Sequence, residues 1–122
     1  MRTGKTMFWT LMLSLMLAGP AGASDFTTAL DAFKRGDVLS ALEDFHALAD
    51  RGNAKAQLKL GLIYAKGQGV PRDLAQAHMW FALAADQGSS PASQNLDLLS
   101  LWLTPEQRAE AERLTTEWRA LH

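Results

Sequence analysis

Apolar residues recur at spacings of three and four positions along most of the chain, and no stretch alternates between apolar and polar residues as a strand would. Such spacing gathers apolar side chains on one side of a helix. It is clear over residues 38–49 and over 56–64, and these segments end at Gly52-Asn53 and at the Gly-Gln-Gly-Val-Pro sequence of 67–71. Glycine accepts positive φ and proline cannot continue a helix, so both sequences are helix breaks. The pattern predicts an all-α fold.

The first residues follow a different pattern. Arg2 and Lys5 precede a mainly apolar run of 12 residues, 7–18. This order of charge and hydrophobicity is typical of a secretory signal peptide, and the run is shorter than the roughly 20 residues of a membrane-spanning helix. We expect residues 1–23 to be a signal peptide, with an uncleaved membrane anchor as the alternative.

Small residues mark the expected cleavage point. Ala21 and Ala23 suit the narrow subsites of a signal peptidase, which would cut before Ser24. We expect the remaining domain, residues 24–122, to be periplasmic or secreted, without stable insertion into a membrane. The sequence has no cysteine and therefore no disulfide framework, so its stability has to come from a packed helical core.

The chain repeats itself with a period of 36 residues. Residues 37–62 and 73–98 carry the same residue at nine of 26 aligned positions. The identical pairs are Asp37/Asp73, Ala41/Ala77, Phe45/Phe81, Ala49/Ala85, Asp50/Asp86, Gly52/Gly88, Ala56/Ala92, Leu60/Leu96 and Leu62/Leu98. Random alignment would give about two matches. The shared residues are small, apolar or helix-terminal, which is typical of a repeated packing unit.

Part of this repeat resembles the Sel-1-like repeat, a relative of the tetratricopeptide repeat. The resemblance is carried by Ala56-Gln57, Leu60-Gly61, Tyr64, Gly67-x-Gly69-Val70, Asp73, Ala77, Trp80-Phe81, Ala84-Ala85 and Gly88. It implies a short tetratricopeptide-like α-solenoid that acts as a protein-protein interaction adaptor or scaffold. One full repeat lies at about 54–88, and the flanking segments lack some of its signatures, as divergent capping hairpins would.

Local signals divide the domain into about three antiparallel helix hairpins, roughly 26–51, 54–87 and 91–121. Asp37 is placed to cap one helix, and Asp73 with Gln76 has the spacing of a capping box. The Thr104-Pro105-x-Gln107 sequence has the same signature at the start of an amphipathic closing helix. A terminal helix of this kind covers the apolar end of a stack, and a helix lying on a membrane surface is the alternative.

Three residues of the repeat indicate how its helices pack. Gly61 lies in mid-helix, where glycine costs about 1 kcal/mol relative to alanine. We therefore expect a close approach of the helix that carries Ala77, Trp80 and Ala84. Trp80 and Tyr64 are expected to fill the wedge between hairpins as core residues rather than as a ligand cage, because aromatic residues at helical spacing usually bury.

Charge and chemistry exclude several functions. The 12 basic residues face 13 acidic ones, which is not the balance of a nucleic-acid-binding protein. His46, His78 and His122 show no metal-ligand spacing and no acidic residue at helical register that would pair with them. We expect no catalytic residues, metal or cofactor. The alternative is a small envelope enzyme or a cell-wall-glycan-binding protein, which a pocket joining His46 or His78 to a carboxylate would favour.

One helix face is a candidate partner-binding site. Lys55, Lys59, Leu62 and Lys66 follow four-three-four spacing and share one side of the predicted helix. In a tetratricopeptide-like stack, this helix lines the inner surface. The lysines could then hold an acidic segment of another protein while Leu62 supplies apolar contact. A solvated lysine face that serves only solubility is the alternative.

Overall fold

A computed structural model describes residues 25–122, so the predicted signal peptide and its cleavage residues Ala21 and Ala23 lie outside the described residues. The described part contains helices and no strand, and the all-α prediction is confirmed. The helices are α1 (Phe26–Lys34), α2 (Val38–Asp50), α3 (Ala54–Lys66), α4 (Leu74–Asp86), α5 (Ser90–Ser100) and α6 (Pro105–Leu121).

The sequence period is also the structural period. Helix α4 begins and ends 36 residues after α2, and α5 begins 36 residues after α3. Gly52 and Gly88, which follow α2 and α4, both have a φ of +91°. Only glycine takes this left-handed conformation without strain, so the same residue ends the same helix in both copies.

Neighbouring helices stack in chain order up to α5. Helix α1 packs on α2, α2 on α3, α3 on α4, and α4 on α5, as the predicted α-solenoid requires. Helix α6 then returns to pack on α4 and does not pack along α5. The last two helices therefore do not form the close pair that α3 and α4 form, and one side of α5 is left without a neighbour among the described helices.

Two apolar clusters hold the stack together. The larger joins α1, α2, α3 and α4 around the fully buried Phe45, and Leu114 and Trp118 of α6 pack against it. The smaller joins α3, α4 and α5 around Phe81, which is 2% exposed. Phe45 and Phe81 are one of the identical pairs of the repeat, so each copy contributes the central ring of one cluster.

The predicted helix caps are correct in one case, half correct in another and wrong in the third. Thr104 and Gln107 form a complete capping box. Asp73 accepts a hydrogen bond from the backbone N–H of Gln76, but its own N–H donates to the Tyr64 carbonyl instead of to a side chain. Asp37 precedes α2 without a side-chain capping bond, because its ψ of 66° departs from the extended backbone of the other N-caps.

The predicted close approach at Gly61 is present, and its contact is Phe81. A Cβ on Gly61 would overlap the Phe81 ring, whose Cγ would lie 3.0 Å away. The expected helix, α4, is the one that approaches, but Phe81 makes this contact rather than Trp80. Trp80 lies in the larger cluster with 3% exposure, and the half-buried Val70 of the α3–α4 loop packs against the same cluster.

Candidate protein-binding face

Helix α3 holds the predicted partner-binding residues in a fixed orientation. The Asn53 side chain caps its start by accepting a hydrogen bond from Ala56 N–H, and Gly67 ends it with a φ of +71°. On the packed side, the buried Gln57 donates to the Ala49 carbonyl and accepts from Gln87. These contacts fix the rotation of α3, and with it the side from which the lysines project.

The three predicted lysines differ in exposure, and Leu62 has a packing role. Lys55 and Lys66 are exposed, and Lys59 is half-buried. Leu62 is also half-buried, but it packs against the smaller apolar cluster around Phe81. Leu62 is therefore largely a packing residue, and it offers a partner less apolar surface than its spacing with the lysines predicted.

A fourth lysine joins this face from another helix. The Nζ of Lys59 lies 4.5 Å from the centroid of the Phe33 ring of α1, a cation–π contact that links the two helices. Lys34, the next residue after Phe33, contributes charge to the same region. We call Lys34, Lys55, Lys59 and Lys66 the lysine face. Spacing within α3 could not reveal Lys34, because only the fold brings α1 beside α3.

The lysine face is a concentration of like charge. Burial lowers the pKa of Lys59, and the neighbouring positive charges of Lys66 and Lys34 lower it further. None of the four lysines forms an ion pair with a residue of the described range. They are all the lysines of residues 25–122, where ten basic residues face 13 acidic ones. Residues 25–122 thus carry a net negative charge, and all four of their lysines are on α1 and α3 without an ion pair to a described residue.

The residues of the repeat motif divide into packing and turn positions. Six are buried: Ala56, Leu60, Gly61, Ala77, Trp80 and Ala84. Four are half-buried: Tyr64, Gly67, Val70 and Ala85. Three are exposed at helix ends: Gly69, Asp73 and Gly88. The buried ones are occupied in helix packing and do not present a ligand surface.

An aromatic wedge forms between the hairpins, as predicted, and includes His46. The Tyr64 hydroxyl lies 3.1 Å from His46 Nε2, and the His46 ring contacts Trp80 edge-on at 5.7 Å between centroids. Burial lowers the pKa of His46, while the charge of Asp50 one turn away acts in the opposite sense. Asp50 lies four residues after His46, at helical register, and influences its pKa by charge without forming an ion pair or hydrogen bond with it.

A pocket of about 350 Å³ contains His78 and a carboxylate, the combination that would favour an enzyme. Glu112, Thr116 and Arg119 of α6 line it together with His78. The Nδ1 atom of His78 is buried without a hydrogen-bond partner, and burial lowers the pKa of the imidazole. His78 and Glu112 form no pair within 4.0 Å, and the hydroxyl of Thr115 donates to the Ala111 carbonyl. The pocket brings the groups near each other without a bonded acid–base couple.

A second, larger cleft opens beside the turn between α5 and α6. It has a volume of about 670 Å³ and lies between the start of α4 and the first turns of α6. Trp102, which is 74% exposed, forms one wall, and Arg72 and Glu106 contribute opposite charges. Among residues 25–122, no group of three histidine or acidic side chains is placed to hold a metal ion. Within the same range, every helix is too short or too polar to cross a membrane.

Comparison with known proteins identifies the repeat. The family model described as Sel1 repeat matches residues 54–89. The chain is 48% identical over 44 residues to the "DAP3-binding cell death enhancer 1" of Rattus norvegicus, covering 36% of this chain and 9% of that protein. It is 40% identical over 52 residues to the "Chitin synthase regulator SKT5" of Malassezia restricta, covering 43% of this chain and 4% of that protein.

A bacterial relative matches over a longer stretch. The "Exopolysaccharide production negative regulator" of Rhizobium leguminosarum bv. viciae is 27% identical over 103 residues, covering 73% of this chain and 39% of that protein. The chain thus spans only a small part of the curated relatives it matches. No solved structure gives a significant match. The family match, the helix periodicity and the packing of α3 on α4 agree that residues 54–89 of this chain form a Sel1 repeat.

Proposed function

We propose that this chain is a non-catalytic adaptor of the cell envelope or the secreted fraction, and that its lysine face binds an acidic segment of a partner protein. The supporting observation is the cluster of Lys34, Lys55, Lys59 and Lys66, which carries no ion pair with a described residue. The named relatives are regulators or binding proteins, which agrees with a role in protein-protein interaction.

The geometry favours an extended, charge-bearing ligand. The contact of Lys59 with Phe33 brings the lysines of α3 near Lys34 of α1, so a segment crossing this region would meet several positive charges. Each pairing with a carboxylate is a charge-assisted hydrogen bond, and the positive region would also steer an acidic partner toward this side. Lys59 contributes in addition by keeping α1 beside α3 through the Phe33 ring.

Export remains part of the proposal because of the sequence before residue 24. The basic start and the apolar run of 7–18 support a signal peptide. The mass of the protein recovered from the envelope or the medium tests this directly. We expect a mass without residues 1–23. An intact mass would mean that the segment is retained as a membrane anchor.

The binding proposal is tested with a triple variant and a control of equal charge. Lys55, Lys59 and Lys66 are replaced by Ser in one variant, and Arg35, Arg51 and Arg72 by Ser in the other; each removes three positive charges. Binding of a fluorescein-labelled peptide of alternating Glu and Leu is followed by anisotropy between about 50 and 300 mM NaCl. The lysine variant should bind at least about tenfold more weakly with a flatter salt dependence, and the arginine variant much less so.

Two results would contradict the proposal. Equal weakening in both triple variants would mean that only net charge matters, and unchanged binding in the lysine variant would remove the lysine face as a site. Circular dichroism checks that both variants retain the helical fold. The lysines form no ion pairs with described residues, and loss of the Lys59–Phe33 contact should cost about 0.5 to 1 kcal/mol, so the fold should tolerate the three substitutions.

The pocket at His78 favours a second candidate function, an enzyme. His78 is the only histidine that lines this pocket. Because its pKa is lowered, the imidazole is neutral near pH 7 and can accept a proton. Hydrolysis of p-nitrophenyl acetate by the chain and by its His78→Gln variant separates the two functions. If the chain is an adaptor, the natural chain and the His78→Gln variant should hydrolyse the ester at the same background rate. A rate that falls in the variant would favour the enzyme instead of the adaptor.

A further inference from the structure

We infer that the cleft beside the turn between α5 and α6 binds a neutral carbohydrate, with one sugar ring stacked on Trp102. The cleft has a volume of about 670 Å³, which lies within the roughly 300 to 1,000 Å³ of small-molecule sites. None of the residues that line it belongs to the lysine face or to the pocket of His78. The inference therefore does not depend on either candidate function proposed above.

Trp102 supplies a flat apolar surface in a cleft whose lining is mostly polar. Within residues 25–122, Trp80 is 3% exposed and Trp118 is half-buried, whereas Trp102 is 74% exposed. Covering an indole ring is strongly favourable, so an exposed tryptophan on the wall of a cleft is available to a ligand. A pyranose ring with equatorial hydroxyl groups has C–H bonds on both faces, and either face can pack on an aromatic ring.

Most polar groups of the cleft are already bonded within the protein. Asp73 caps the start of α4, and Glu110 pairs with Arg113. Thr104 and Gln107 bond each other in the capping box of α6. These groups stabilise the walls of the cleft, and they are not the ones that await a ligand.

Arg72 and Glu106 are the free polar groups of the cleft. Both are exposed, and neither has an ion pair or a side-chain hydrogen bond with a described residue. The guanidinium of Arg72 offers only donors, and the carboxylate of Glu106 offers only acceptors. A sugar hydroxyl both donates and accepts, so a carbohydrate can bind both groups without a charge of its own.

The same two groups argue against a charged ligand. A cation stacked on Trp102 would meet the like charge of Arg72, and an anion would meet the like charges of Glu106 and Glu110. A neutral ligand avoids both repulsions. One aromatic surface and a few polar groups that fix orientation are also the usual composition of a small-molecule site.

The walls of the cleft are held in place by the fold. Leu74, at the start of α4, and Leu103, next to Trp102, are half-buried and pack against the smaller apolar cluster. The guanidinium of Arg108 on α6 donates to the Ser100 carbonyl at 2.9 Å and so joins the two ends of the turn that carries Trp102. A site formed in advance loses little conformational entropy when it binds a ligand.

An NMR titration of the full, ¹⁵N-labelled chain with cellotriose and with triacetylchitotriose tests the site. Both probes are neutral and consist of β-linked rings with equatorial substituents. At least one should bind with a dissociation constant of about 5 mM or tighter and shift the Trp102 indole N–H resonance. The affinity should change less than about twofold between about 50 and 300 mM NaCl, because the ligand has no charge to screen.

Variants locate the contact. Trp102→Ala should weaken binding at least about tenfold, and Trp102→Phe less, because a smaller ring remains. The matched control is Leu101→Ala, since Leu101 is 81% exposed in the same turn and does not line the cleft. It should bind like the natural chain. Glu106→Gln, which keeps an accepting oxygen, should stay within about threefold of the natural chain. Circular dichroism checks that each variant retains its helices.

Three results would overturn the inference. The first is no binding of either trisaccharide up to about 20 mM. The second is equal affinity of Trp102→Ala and Leu101→Ala. The third is tighter binding of trilysine or triglutamate than of both trisaccharides, which would assign the cleft to a charged peptide segment. None of these variants alters the lysine face, so failure here leaves the proposed partner binding to its own test.

Discussion

The two copies of the 36-residue period have the same helices but different surroundings. Phe45 and Phe81 are both buried, as are Ala41 and Ala77. The copies diverge in their second helices, α3 and α5. Leu60 on α3 is fully buried, whereas Leu96 on α5 is half-buried. An identical residue thus has a different burial because of its place in the stack.

The difference follows from what packs next. Helix α3 lies between α2 and α4, so it has packed neighbours on two sides. Helix α5 packs on α4, while α6 has moved to α4 as well. A repeat sequence therefore encodes a helix and its packing side, and the neighbouring repeat decides how completely that side is covered.

The largest expected contrast concerns the leucine pair. Leu60→Ala should lower the free energy of unfolding by about 2 to 5 kcal/mol, because it empties a fully buried site, and Leu96→Ala by less than half of that. Urea unfolding followed by circular dichroism measures both. Equal losses would mean that α5 is as well covered in solution as α3.

A smaller contrast is expected between Gly61 and Asp97, which occupy the same repeat position. A methyl group at Gly61 would overlap the Phe81 ring, so Gly61→Ala should cost about 1 to 3 kcal/mol from overpacking despite alanine's better helix propensity. Asp97 is exposed, and Asp97→Ala should stay within about 0.5 kcal/mol of the natural chain. Thermal or urea unfolding that leaves Gly61→Ala unchanged would show that the helices separate easily at this crossing.

The smallest effect is a pH dependence confined to histidines. Burial lowers the folded-state pKa of His46 and of His78 below the ordinary 6.5. The unfolded chain then binds more protons than the folded chain as the pH falls below about 6.5, so stability present at pH 7.5 declines toward pH 5.5. In the second copy Ala82 stands where His46 stands in the first. In the variant His46→Ala, the free energy of unfolding should decline less between pH 7.5 and pH 5.5, because only the part due to His78 is left. An unchanged pH dependence would mean that His46 does not cause the decline.

Much of the fold could be predicted from short-range patterns. The start and end of α3 follow from Asn53 and Gly67, and α6 begins at a capping box that the Thr104-Pro105-x-Gln107 sequence specifies. These signals involve residues within one turn of each other, and their energetics do not depend on distant parts of the chain. The cap expected at Asp37 failed because the turn after α1 gives that residue a ψ of 66°.

The candidate site was predictable only in part. Spacing predicted that Lys55, Lys59 and Lys66 share one side of α3, and the structure leaves Lys55 and Lys66 exposed and Lys59 half-buried. The contribution of Lys34 depends on the packing of α1 beside α3, and Leu62 was misjudged because its neighbours in the Phe81 cluster come from α4 and α5. A pattern within one helix gives the direction of a side chain, but not which distant residues meet it.

By itself, the sequence determined that this protein is a stack of helices with a 36-residue period, since helix periodicity, breaks and repeated small residues are local or strictly periodic. Only the tertiary structure decided that α6 packs on α4 and not along α5, and that Phe81 is the ring which Gly61 accommodates. Those outcomes depend on which helices compete for the same apolar surface. Which helix covers that surface depends on the packing of the whole stack and cannot be read from any single segment.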